Sequence, residues 1–192
     1  MKKEIIDRYA RTVDDRVIID ITADNIENLY NNFDKSAHYL KKDLDQNLVD
    51  YLIESVREIG GEDFVIQFSF AAVVTPELTT RVQESIGSFF VYLRELEVRE
   101  LKRMLRASLI LLAVGIIIMT LSVWVNIHFG LQRETVFNRV FAEGLTVAAW
   151  ISLWEALATF LINWNPHRRL IKLYERIAGA KVLFRVSEGA GT

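Results

Sequence analysis

The reading of this chain turns on residues 107–129, "ASLILLAVGIIIMTLSVWVNIHF". Residues 107–125 contain no charged side chain. At 1.5 Å rise per residue they cover about 28 Å, close to the ~30 Å of a bilayer's hydrocarbon layer. A buried helix of a soluble protein is rarely so apolar for so long, so the run predicts a membrane span over residues 107–126. A second run, residues 144–164 ("GLTVAAWISLWEALATFLINW"), has Glu155 as its only charge and predicts a second span. Trp124 and Trp164 suit the two interfacial belts. Trp150 and Trp154 lie too deep for that and are expected to pack between helices.

Lysine and arginine near the ends set the orientation. Arg94, Arg99, Lys102, Arg103 and Arg106 precede the first span, and Arg168, Arg169, Lys172, Arg176 and Lys181 follow the second. The connecting loop, residues 127–143, holds only Arg133 and Arg139. Both termini are therefore expected on the cytoplasmic side of an inner (plasma) membrane, with a prokaryotic source the natural fit. In the external loop, Val136, Phe137, Val140 and Phe141 have one-face helical spacing and are expected to extend the second span as an interfacial turn.

Outside these runs the chain is charged and mixed. Its 192 residues are 51% apolar with mean hydropathy +0.18, net charge −2 and pI near 6.0, which argues against a nucleic-acid partner. Absence of cysteine excludes disulfides, thiolate metal sites and cysteine nucleophiles. Residues 1–16 are charged and lack the apolar core of a signal peptide.

Residues 16–22, "RVIIDIT", and 63–70, "DFVIQFSF", predict strands. Between them residues 36–59 predict a helix with the stripe Leu40, Leu44, Leu48, Leu52, Val56 and Ile59, Ser36 as N-cap, and Gly60-Gly61 as its stop. Strand, helix and strand make a βαβ unit, for which parallel pairing is expected. Thr75-Pro76 opens a further helix. Its apolar positions Val82, Ile86, Phe89, Leu93 and Leu96 follow a 4-3-4-3 spacing and predict a seam between copies of the chain. This helix is expected to run without a break into the first span. Asn165-Pro166 is expected to break or kink the chain after the second. Residues 168–178 then predict a helix, residues 181–186 ("KVLFRV") a strand returning to the first two, and residues 187–192 an unstructured tail.

The expected fold is thus an α/β membrane protein. A transmembrane hairpin, residues 107–164, is inserted in a small cytoplasmic α/β domain made from residues 1–106 and 165–192. Within the hairpin Glu155 is the one acid, and an ion at the bilayer centre costs roughly 2.5–3.5 kcal/mol or more. Its neighbours Ser152 and Thr159 on the same helix, and Thr120 across the hairpin, complete an intramembrane polar site. Packing and ion passage are its two readings, with packing ahead. The cluster Arg99, Lys102, Arg103, Arg106, Arg168 and Arg169 reads first as a topology anchor, with anionic lipid head groups as a second role.

Other patterns carry little chemistry. Residues 43–54, "DLDQNLVDYLIE", place Asp43, Asp45, Asn47 and Glu54 as in a calcium loop, but Leu48 stands where glycine is required. His38, His128 and His167 lack metal-ligand spacing and read as surface residues, and Ser85 and Ser88 have no accompanying histidine motif. No phosphate-binding glycine loop is present. No catalytic residue, metal site or cofactor is therefore assigned. The leading expectation is a non-catalytic homo-oligomeric membrane scaffold or regulatory assembly, with copies of itself, membrane lipids and a cytoplasmic protein as partners. An ion channel with Glu155 at the pore, and a small-ligand sensor, are the alternatives.

Overall fold

The computed structural model of the protein describes residues 6–31, 42–71, 74–129 and 136–186. Two compact units emerge: one made of Met1–Leu96 with Leu170–Thr192, the other of Glu97–Arg169. The first is discontinuous in sequence, because its last strand follows the second unit.

The first unit is built on a three-stranded, wholly parallel sheet in the order β1 (Val17–Ala23), β2 (Phe64–Phe70), β3 (Lys181–Val186). Alternation explains its faces. Val17, Ile19 and Ile21 pair with Phe64, Ile66 and Phe68, and the last two pair with Val182 and Phe184. These side chains form one apolar face, in which Phe68, Phe70 and Phe184 stack with centroids 6.0 to 6.3 Å apart. The other face carries a polar patch at β1 and β2: Asp20 Oδ1 accepts from Gln67 Nε2 at 3.3 Å and from Ser69 Oγ at 3.4 Å. Parallel neighbours need a crossover. The β1–β2 crossover contains helix α1 (Gln46–Ile59), and the β2–β3 crossover contains the whole of the second unit.

Three helices supply most of the rest of this core, and Leu29, Tyr30 and Leu44 between β1 and α1 join them. Leu48, Leu52, Val56 and Ile59 come from α1, Val82, Ile86 and Phe90 from helix α2 (Pro76–Phe129), and Tyr174 and Ile177 from helix α4 (Trp164–Ala178). Arg176 ties α4 to the α1–β2 loop. Its guanidinium donates to the carbonyls of Gly60 and Glu62 and sits 5.3 Å over the Phe64 ring. Gly60 ends α1 at φ 72°, a left-handed value that glycine adopts without a Cβ penalty.

Several expectations change here. Helix α1 begins at Gln46, not at Ser36, because Asp45 caps it: Oδ1 accepts from the amides of Asn47 and Leu48. Leu44, assigned by spacing to the helical stripe, instead forms an isolated antiparallel bridge with Tyr30, after a 3-10 turn at Ile26–Leu29. Ser36, His38 and Leu40 lie outside the described residues, as do the tail at 187–192 and the loop tip at 130–135. The 4-3-4-3 stripe is not free to form a seam between copies. Val82 and Ile86 are 0% and 1% exposed within the protomer's own core, Phe89 and Leu93 pack against that core, and only Leu96 stays exposed at 40%. The buried set Val82, Ile86, Phe90 has the 4-4 spacing of a helix lying on a sheet.

Candidate functional site

The second unit is a helical hairpin. Helix α2 runs unbroken for 54 residues, and helix α3 (Val136–Ala158) continues through a π-helical turn (Thr159–Asn163) into α4. Both helices are long and apolar enough to cross a membrane, by length and composition. Their outward surfaces are apolar and uncovered: Ile117, Ile151, Trp154, Leu161 and Ile162 are all 64–70% exposed.

What joins the two helices is small side chains. Ser108, Gly115 and Ser122, seven residues apart on α2, are buried, and so are Ala149 and Ala156, seven apart on α3. A Cβ placed on Gly115 would stand 3.1 Å from Ser152 Cβ, 3.4 Å from Leu153 Cγ and 3.5 Å from the Ala149 carbonyl. Such residues let two backbones approach closely where helix packing is driven by dispersion. The Ser122 and Thr146 hydroxyls, 3.2 Å apart, hydrogen-bond across the same seam. These contacts fix an antiparallel register that sets Glu155 level with Leu112 and Ala113.

That register separates Thr120 from Glu155 by about 11 Å along the axis. The hydroxyls of the expected polar site are also engaged elsewhere. Thr120 donates to the Ile116 carbonyl at 2.8 Å, Ser152 to Ala148 at 3.0 Å, and Thr159 to the backbone of Glu155 at 3.1 Å. The Glu155 side chain is exposed and has no hydrogen bond or ion pair with a described residue. It points away from the seam. On the same side of α3, Gly144 has open space around it and Ala148 is exposed, so Gly144 and Ala148 leave an uncovered small-residue strip beside the acid.

The break expected at Asn165-Pro166 does not occur. Pro166 is the third residue of α4, directly after the π turn. Proline has no N–H, and its ring crowds the carbonyl four residues back, here Ile162. A π turn widens the ladder at that carbonyl, so the helix passes the proline without stopping.

Just past the apolar runs, His167 is not the free surface residue its isolation in sequence suggests. It is partly buried, with Nδ1 2.5 Å from Glu97 Oε1, and so links α4 to α2. His128 lies at the other end, stacked on Trp124 with centroids 4.8 Å apart. The basic residues surround the Glu97–His167 link. Arg99, Lys102, Arg103, Arg106, Arg168 and Arg169 are all exposed. Arg103 pairs with Glu100 at 2.6 Å, and Arg168 lies 5.3 Å over the Trp164 ring.

In the first unit a cleft of about 370 Å³ opens at the carboxyl end of β1, lined by Thr22, Asp24, Asn28, Asn47 and Tyr51. Ligands of parallel α/β sheets lodge at such ends. A second cleft, of about 510 Å³, lies along the β1 edge beside Tyr9, Asp20, Glu54 and Glu58. Burial, reinforced by a 2.8 Å hydrogen bond to Glu58, pushes the Tyr9 hydroxyl pKa above its ordinary value. Sequence reasoning passed over both clefts, whose polar residues come from separate elements. It also passed over the seven-residue spacing of small side chains, which was visible. No cluster of three or more metal-ligand side chains occurs among the described residues. Comparison with protein-family models, with curated proteins and with solved structures finds no match.

Proposed function

We propose that this chain is a two-pass integral membrane protein that self-associates through the Glu155 side of α3 and serves as a non-catalytic scaffold. Copies of the α/β domain are thereby held together on the cytoplasmic face of the membrane, where they organise a protein partner. The supporting observation is the position of Glu155, exposed on α3 and with no side-chain partner among the described residues. In a lone hairpin the acid would face acyl chains, at a cost of roughly 2.5–3.5 kcal/mol or more. A second copy removes that cost by covering the acid, and the adjacent small residues Gly144 and Ala148 permit the close helix approach required. The positive-inside bias of Arg99 to Arg106 and of Arg168 and Arg169 supports the orientation.

The test is the mass of the purified protein in mild detergent, with Ala148→Leu as the interface variant and Leu157→Ala as a control on another side of α3. A defined oligomer is expected for the unaltered chain and the control, with Ala148→Leu shifted to the protomer mass. A monomeric unaltered chain, at concentrations where the hairpin remains helical, rejects the proposal.

A further inference from the structure

We propose that the basic collar, Arg99, Lys102, Arg103 and Arg106 on α2 with Arg168 and Arg169 on α4, is a binding site for anionic phospholipid head groups. The inference rests on the membrane reading above and adds the lipid class. Four residues of the collar stand at i, i+3, i+4 and i+7, which is one side of a helix. They form a band about 10 Å long along the axis. The band ends at Arg106, where the uncharged run begins, so it falls at the ~5–8 Å head-group layer outside the hydrocarbon.

The second basic pair is held beside the Arg99 end of that band. Glu97 Oε1 and His167 Nδ1, 2.5 Å apart, join the helices one residue before Arg168. Arg168 and Arg169 therefore lie within about one helical turn of Arg99. The nearby acids are already engaged, Glu97 with His167 and Glu100 with Arg103. Lys102, Arg106, Arg168 and Arg169 make no ion pair with a described residue. The collar thus presents more positive charge than its own acids neutralise. Guanidinium groups meet phosphate oxygens in pairs, which an ammonium does not. The Arg168 guanidinium, 5.3 Å over the Trp164 ring, is steadied at the level where an indole suits the interface.

Apolar surface beside the charge selects a lipid over a soluble anion. Leu109 and Ile110 on α2, and Leu161 and Ile162 in the π turn, are 54–68% exposed directly inside the collar. A phosphate at Arg106 or Arg168 would lay its acyl chains along those side chains. A nucleic acid or an acidic peptide would leave them uncovered.

The full chain is reconstituted into vesicles of phosphatidylcholine alone and of phosphatidylcholine with a minority of phosphatidylglycerol. Two quantities are read separately: resistance to alkaline extraction, which reports insertion, and the ratio of the two lipids retained on the protein by native mass spectrometry. The expected result is insertion in both vesicles and phosphatidylglycerol retained well above its bulk share. With about 1 kcal/mol per cation near an anionic surface, the enrichment should fall roughly fivefold for each of Lys102→Gln, Arg106→Gln, Arg168→Gln and Arg169→Gln. Raised salt should lower it in the unaltered chain, a measurement that needs no variant. Retention of both lipids in proportion to supply by a chain that resists extraction overturns the inference and leaves the membrane reading intact. Extraction from both vesicles overturns the membrane reading itself.

Discussion

Gly115 is the point at which the hairpin seam can be tested most directly. Replacing it with leucine places a Cβ 3.1 Å from Ser152 Cβ and 3.4 Å from Leu153 Cγ, where carbon atoms prefer about 3.5–4.0 Å. The Cβ alone asks its neighbours to yield by a few tenths of an ångström, while the remaining three carbons of leucine must enter the space held by α3. Overpacking of this kind costs roughly 1–3 kcal/mol, about 5- to 150-fold in the population of the closed seam. The chain contains no cysteine, so an engineered pair reports closure without background. The Ser122 and Thr146 hydroxyls are 3.2 Å apart, and Ser122→Cys with Thr146→Cys should oxidise rapidly to an intramolecular disulfide. Adding Gly115→Leu should slow that oxidation by the factor above. Gly115→Ala combined with Ser152→Gly moves the crowding Cβ from α3 to α2 and should keep the rate of the unaltered seam, because the 3.1 Å contact is removed. Equal oxidation rates with and without Gly115→Leu would refute the seam.

Three further outcomes are expected. Ile86→Ala should cost about 2–5 kcal/mol of stability in denaturant unfolding of the α/β unit with no change in oligomer mass, since Ile86 is buried in the protomer's own core; a shift in mass at unchanged stability would return it to a seam between copies. Arg176→Ala removes two charge-assisted hydrogen bonds to carbonyls, about 1.5–3 kcal/mol each at most before discounting for partial exposure, and should speed amide exchange in β3 at least tenfold, with Arg176→Lys a poor rescue because one ammonium cannot reproduce the fork. Tyr9 should titrate above the ordinary tyrosine value of 10.0 in a spectrophotometric titration. The raised pKa favours the protonated phenol in the folded state, so its contribution to stability is complete below pH ~10 and is lost as pH rises through the folded value; Tyr9→Phe should abolish that pH dependence.

The strands were legible because their side chains carry the period of the structure itself. Alternation in "DFVIQFSF" announces one buried face, and the register of β1 and β3 against β2 places apolar side chains opposite that face. The long helix was legible for a similar reason: between Pro76 and Phe129 nothing breaks the ladder, and the two glycines at positions 87 and 115 do not suffice to do so. The start of α1 was not legible. The leucine stripe extends upstream past Leu44, and only the competing bridge from Tyr30 and the Asp45 cap end the helix at Gln46. The 4-3-4-3 stripe misled because a helix on a sheet and a helix in a coiled coil bury nearly the same residues over two turns. Phe90 distinguishes them: it is buried in the core of the α/β unit, 6.1 Å from the Tyr174 ring of α4.

Composition and spacing alone determined that this chain has two apolar runs of about bilayer length, a charged α/β part, and a terminal strand available to a parallel sheet. Those properties follow from local periodicity and run length, which each segment carries by itself. Which residues meet was decided only by the tertiary structure. Antiparallel register brought Gly115 against Ser152 and carried Thr120 away from Glu155. The π turn let α4 pass Pro166, and a contact between residues 97 and 167 engaged a histidine that looked solitary. Each of these depends on the phase of one helix relative to another, a quantity that no single segment encodes.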